Sequence, residues 1–148
     1  MKRLFRLIPL FLWMGLIFFL SAQPAGESAE TSNAAALILY RVFSLLFGDA
    51  MLPVTEFMLH YARPIRKLAH FTEFMILGIL MYVNLSDHGR ALPYSLCLSV
   101  IYAVSDEIHQ LFVENRYCSL GDILIDSCGV FCGVFLCHLI FGKWRKRN

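Results

Sequence analysis

Three stretches of the chain set titratable side chains at helical spacing inside otherwise apolar sequence. In RKLAHFTEF, residues 66–74, Arg66, His70 and Glu73 fall within about 60° of one another at 100° per residue, with Lys67 adjoining. In SDEIHQLFVENR, residues 105–116, Asp106 and Gln110 share a face with Ser99, and Glu107 pairs with Gln110 three residues on. In SLGDILIDSCGVFCG, residues 119–133, Asp122 and Asp126 continue one stripe with Gly129 and Gly133. The residue types suit acid–base work. His70 is the candidate general acid or base, because an imidazole titrates near neutrality, and Glu73 one turn on can orient or tune it. Asp106 and Glu107 can supply the second acid–base partner or hold a divalent cation. Lys67 and Arg116 can grip a phosphate. Gln110, Asp122 and Asp126 complete the candidate binding set.

These side chains need carriers, and the composition points to a membrane. The chain is 58% hydrophobic with only 16% charged residues, and its mean hydropathy is +0.62. Soluble domains are nearer a quarter charged. Four apolar stretches, Leu4–Ala22, Leu68–Leu85, Ala91–Val113 and Leu120–Phe141, are each near the roughly 17–25 residues that span ~30 Å of hydrocarbon. The expectation is an all-α, single-domain, polytopic bundle of four transmembrane helices over residues 1–148. The first stretch follows Lys2 and Arg3 as a signal peptide would, but it is long and Leu20 is bulky for a cleavage site, so it reads as an uncleaved anchor. SAQPAGESAETSN reads as a polar loop. Residues 34–47 are apolar but too short to span, which predicts an interfacial or re-entrant helix begun by Ser32 or Asn33. Pro53 opens a further short helix that should stop before Pro64.

Basic residues set the orientation. Eight of the 13 lysines and arginines, including the closing KWRKRN, fall on the side of both termini. Both termini are therefore expected in the cytoplasm. Glu73, Asp106 and Asp126 then lie at one depth, roughly 8–10 Å inward from the outer ends of three spans. Ionisable groups inside a membrane are expensive and are usually kept for a function. Their convergence predicts a charge network around an outward-opening cavity.

Other classes find little support. A net charge of +2, with no RNP, helix-turn-helix or zinc-finger pattern, excludes a nucleic-acid partner. There is no G-x-S-x-G, H-E-x-x-H or Walker motif, and no cofactor is named by the sequence. The five cysteines include no C-x-x-C pair; Cys128 and Cys132, four apart in an apolar run, read as small core residues.

The same three motifs carry a resemblance to the VanZ-like family of small bacterial membrane proteins. The elements are Lys67, His70, Glu73 and Phe74 in the first, Ser105, Asp106, Glu107, His109, Gln110, Phe112 and Arg116 in the second, and Ser119, Asp122, Asp126, Gly129 and Gly133 in the third. FLSAQPAG is similar to the family's Ser-x-Gln after its first helix. Asp126 departs from the pattern, since the family often has Asn there. The resemblance implies a multi-pass protein of the bacterial cytoplasmic membrane. The family's name comes from a member associated with low-level resistance to teicoplanin, a lipoglycopeptide acting outside the membrane.

The expected function is to act on or bind a cell-envelope lipid, lipid-linked sugar or lipoglycopeptide, with membrane lipids as partners. The alternative is a non-catalytic accessory protein whose charged cluster only stabilises the bundle. A transporter is a third possibility, but four spans with polar groups in one leaflet supply no continuous polar path unless the protein oligomerises.

Overall fold

Pro24 and Pro53 each stand at the cap position of a helix. A missing N–H costs nothing there, because the first four donors of a helix have no intrahelical partner. The computed structural model describes residues 2–48 and 52–145, with side chains over 5–48 and 52–141. Among the described residues there are five helices and no strand: α1 (Lys2–Ser21), α2 (Ala25–Phe47), α3 (Val54–Leu85), α4 (Ala91–Gln110) and α5 (Leu120–Arg145).

The packing centre is α3 against α5, and glycine sets its closeness. A Cβ on Gly129 would collide with the Phe71 carbonyl, and one on Gly133 with the Met75 carbonyl. A Cβ on Gly78, from the other side, would lie 2.7 Å from the Val130 carbonyl oxygen. The small-x-x-x-small stripe thus lets two backbones touch, as membrane helix pairs do. Phe74, Leu77, Val130 and Val134 fill the remaining space, joined by Ile17 of α1. On α1, Trp13 donates to the Glu73 carbonyl at 2.9 Å. At one end of the bundle Arg6 meets Asp87 in the α3–α4 turn at 3.3 Å.

Helix α4 is turned inside out. Ser95, Ser99, Asp106, Glu107 and Gln110 are buried, while Tyr94, Leu98, Ile101 and Ile108 are exposed. That distribution bears on the count of spans. Two helices, Val54–Leu85 and Leu120–Phe141, are long and apolar enough to cross a membrane, or three if the α1–α2 pair, bent by 112°, counts as one. Four crossings are therefore not established by length and composition.

Three expected boundaries are corrected. Of the supposed polar loop only residues 22–24 are non-helical; residues 25–33 form the first part of α2, where Ser28 is buried and Arg66 donates to Ser32 Oγ at 3.0 Å. Within that part Thr31 and Ser32 bond back to the carbonyls four residues earlier, absorbing their own polarity. Helix α3 runs through Pro64 instead of stopping before it. A proline inside a helix forfeits one bond, but α2 braces both sides of the break, with Tyr40 against Phe57 at 5.2 Å between ring centres and Ser32 on Arg66. Helix α4 ends at Gln110, three residues short of the expected Val113, in i,i+3 bonds from Leu111, Phe112 and Val113.

Cys128 and Cys132 are exposed on α5, not packed in the core; Cys137 is the buried one. As for the orientation, Lys146 and Arg147 lie outside the described residues, and Lys2, Arg3, Lys143 and Arg145 lie outside the described side chains.

Candidate functional site

The α4–α5 connection, residues 111–119, closes the end of the bundle opposite the Arg6–Asp87 pair. It turns at Asn115, whose φ of 57° is the left-handed conformation that asparagine tolerates better than most residues. The Glu114 carbonyl accepts from the Ala25 amide at 3.3 Å, which fastens the loop to the start of α2. Glu107 Oε2 accepts from the Ser119 amide at 2.9 Å, and Ser119 Oγ accepts from the Asp122 amide at 3.4 Å. Ser119 therefore caps the start of α5, and Glu107 orders the approach to it.

Beneath this loop lies a cavity of about 430 Å³. Arg63, Arg66, Lys67 and His70 line it from α3, Glu107 and Gln110 from α4, Arg116, Tyr117 and Ser119 from the loop, Asp122 from α5 and Ala25 from α2. Lys67 pairs with Asp122 at 3.2 Å, both side chains about half exposed, so this pair is worth little to stability. The three guanidiniums are different. Arg66 donates to Ser32 Oγ, Arg116 Nη1 donates to the Ser21 carbonyl at 3.4 Å, and among the described residues none of Arg63, Arg66 and Arg116 forms an ion pair. Desolvation by burial, followed by the Arg66 charge, pushes the Arg116 guanidinium below its ordinary value, against the opposing pull of Asp106 and Glu107. A guanidinium disfavoured by a neighbouring positive charge, with both lining one cavity, gains from an anion bound there.

A second tier lies deeper. Asp106 is 3% exposed; its Oδ2 accepts from Ser21 Oγ at 2.7 Å and from Gln110 Nε2 at 3.1 Å. Asp126 is 1% exposed, and Oδ1 of both aspartates has no hydrogen-bond partner among the described residues. Gln110 joins the tiers, lining the cavity while it donates to Asp106. Glu73 Oε2 lies 3.6 Å from His70 Nδ1, an ion pair only when the imidazole is protonated. Tyr102 ties α4 to α1 through the Met14 carbonyl at 2.7 Å. Among the described residues no three His, Cys, Asp or Glu side chains gather closely enough to ligate a metal ion.

The candidates therefore divide. Lys67, His70, Glu107, Gln110, Arg116 and Asp122 line one cavity, whereas Glu73, Asp106 and Asp126 do not. His109 stacks on Phe18 with ring centres 4.3 Å apart, away from the cavity lining. Arg63 was missed because a helix stopping before Pro64 left it in a separate element. Ser21 was missed as a site residue, although the Ser-x-Gln signal marked it.

The family model for VanZ/LLP1 matches residues 5–141. No curated protein and no solved structure matches the chain.

Proposed function

The chain belongs to the VanZ/LLP1 family, and from that premise we propose that it is an envelope-lipid-binding protein of the bacterial cytoplasmic membrane. In this reading four helices cross, both termini are cytoplasmic, and the cavity opens outward. The buried polar face and exposed apolar face of α4 support its crossing in company, since a helix whose polar stripe faces its neighbours needs no high mean hydropathy. The ligand is the anionic head group of an envelope lipid or lipid-linked sugar. One observation carries this: three guanidiniums without ion-pair partners among the described residues surround a cavity of about 430 Å³. Arginine forks match phosphate oxygens in bidentate fashion, which lysine cannot reproduce. His70 lines the same cavity beside Glu73, so any acid–base step on the bound head group falls to that pair.

The deeper tier supports a structural role within the same protein. Asp106 binds Ser21 and Gln110 and does not line the cavity, so it holds α1 to α4 below the ligand. The test separates the roles. Lipid that co-purifies with the protein is compared by mass spectrometry with the bulk membrane extract. Enrichment of a phosphate-bearing lipid is expected in wild type and in His70→Ala, and its loss in Arg66→Gln/Arg116→Gln with the melting temperature kept. A wild-type extract identical to bulk membrane defeats the proposal. Turnover lost in His70→Ala with binding retained marks an enzyme that uses His70; lipid bound by wild type without turnover marks a binding protein.

A further inference from the structure

An apolar groove of about 540 Å³ runs beside the cavity, between α3 and α5, lined by Arg63, Pro64, Lys67, Leu68, Phe71 and Ile125. Arg63 and Lys67 line both spaces. The order of residues along both helices is the same. On α3 the stripe Arg63, Lys67, Phe71 advances four residues at a time from the cavity toward the apolar centre of the bundle, about 12 Å in all at 1.5 Å per residue. On α5 Asp122 lines the cavity and Ile125, one turn further in, lines the groove. The ion pair between Lys67 and Asp122, at 3.2 Å, therefore stands at the junction. Below it Phe71 reaches the level where Gly129 meets the α3 backbone, so α3 and α5 are in direct contact at that depth.

We infer that the cavity and the groove are two halves of one amphiphile site, taking a lipid phosphate with its charged head among Arg63, Arg66 and Arg116 and the first part of one hydrocarbon chain along Leu68, Phe71 and Ile125. The inference rests on the anion-binding reading above and adds the ligand's second half. Continuity argues for it: a ligand whose charge sits against Lys67 has its chain directed into the groove by the same side chain. Such a ligand enters sideways from the leaflet, and a water-soluble phosphate is a poor substitute because it leaves the groove unused.

The full chain in neutral detergent is titrated with inorganic phosphate, a short-chain phosphatidic acid and dioleoylphosphatidic acid, read by native mass spectrometry. Affinity is expected to rise at least about tenfold from inorganic phosphate to the short-chain lipid, the gain that two buried methylenes give. Leu68→Trp, at a side chain 61% exposed and so free to enlarge, should abolish that gain while leaving inorganic phosphate binding unchanged. Ile125→Phe is the second groove variant, and melting temperature establishes that both fold. Equal affinity for all three probes, or a chain gain that survives both groove variants, overturns the amphiphile site while leaving an anion site standing. Binding of dioleoylphosphatidic acid that is the same in wild type and Arg66→Gln/Arg116→Gln overturns both, because the lipid is then only annular.

Discussion

Ser21 donates to Asp106 at 2.7 Å from the last residue of α1, and both groups are buried. Removing the hydroxyl leaves Asp106 Oδ2 with Gln110 alone, beside an Oδ1 that already lacks a partner among the described residues. Ser21→Ala is therefore expected to cost about 1–3 kcal/mol, the loss of one buried hydrogen bond to a carboxylate. Thermal unfolding in detergent measures it, and an unchanged midpoint would mean the bond contributes nothing. Arg116 calls for the opposite outcome. Its one hydrogen bond among the described residues, to the Ser21 carbonyl at 3.4 Å, is long, so stability should barely depend on it. Arg116→Lys keeps the charge but loses the fork, and should weaken head-group binding about tenfold or more while shifting the unfolding midpoint little. A variant that binds like wild type places this arginine outside the site.

At the scale of elements, the α3–α5 seam decides whether the site exists. Lys67 and His70 on α3 face Asp122 on α5 only because Gly129 and Gly133 let the two backbones meet. Gly129→Ala and Gly133→Ala each drive a methyl into a carbonyl on α3, and backbone cannot step aside as a flexible side chain can. Each should destabilise by about 1–3 kcal/mol, the usual overpacking range. Gly15→Ala is the comparison, since a Cβ there meets nothing within 4 Å; it should be neutral or slightly stabilising through helix propensity. Equal behaviour of all three glycines would show that the seam is not limiting.

For the whole molecule, the open quantity is which end faces out. In a background without the five cysteines, Glu30→Cys should react with a membrane-impermeant maleimide from outside and His88→Cys only from inside. Both positions are exposed, whereas Ser28 in the same polar stretch is buried and would report packing instead of topology. The reverse pattern turns the cavity toward the cytoplasm and removes the envelope ligand. The helices add a constraint. At 1.5 Å per residue the 32 residues of α3 extend about 48 Å, well beyond ~30 Å of hydrocarbon, so α3 is longer than a crossing needs.

Helical class, membrane residence and the three motifs were legible in the sequence, because hydropathy over some twenty residues and 100° periodicity are local properties. His70, Glu107, Gln110, Arg116 and Asp122 were named from residue type and spacing alone, and Gly129 and Gly133 were placed on the Asp122–Asp126 stripe in the same way. Position along a helix was local too, which is why Glu73, Asp106 and Asp126 were expected in one layer. Direction across the bundle was not. Whether a carboxylate at that depth faces a cavity or another helix depends on how α1, α4 and α5 are rotated against α3, and no stretch of one helix carries that information. Tertiary structure turned Asp106 toward Ser21 and left Arg66 to the cavity. The same limit misplaced the boundaries: SAQPAGESAETSN is polar enough for a loop, and Pro64 is an ordinary helix stop, until α2 and α3 lie side by side. Contacts between residues far apart in the chain outweighed both local preferences, because a helix that packs a neighbour gains more than a weak residue or one missing bond costs it.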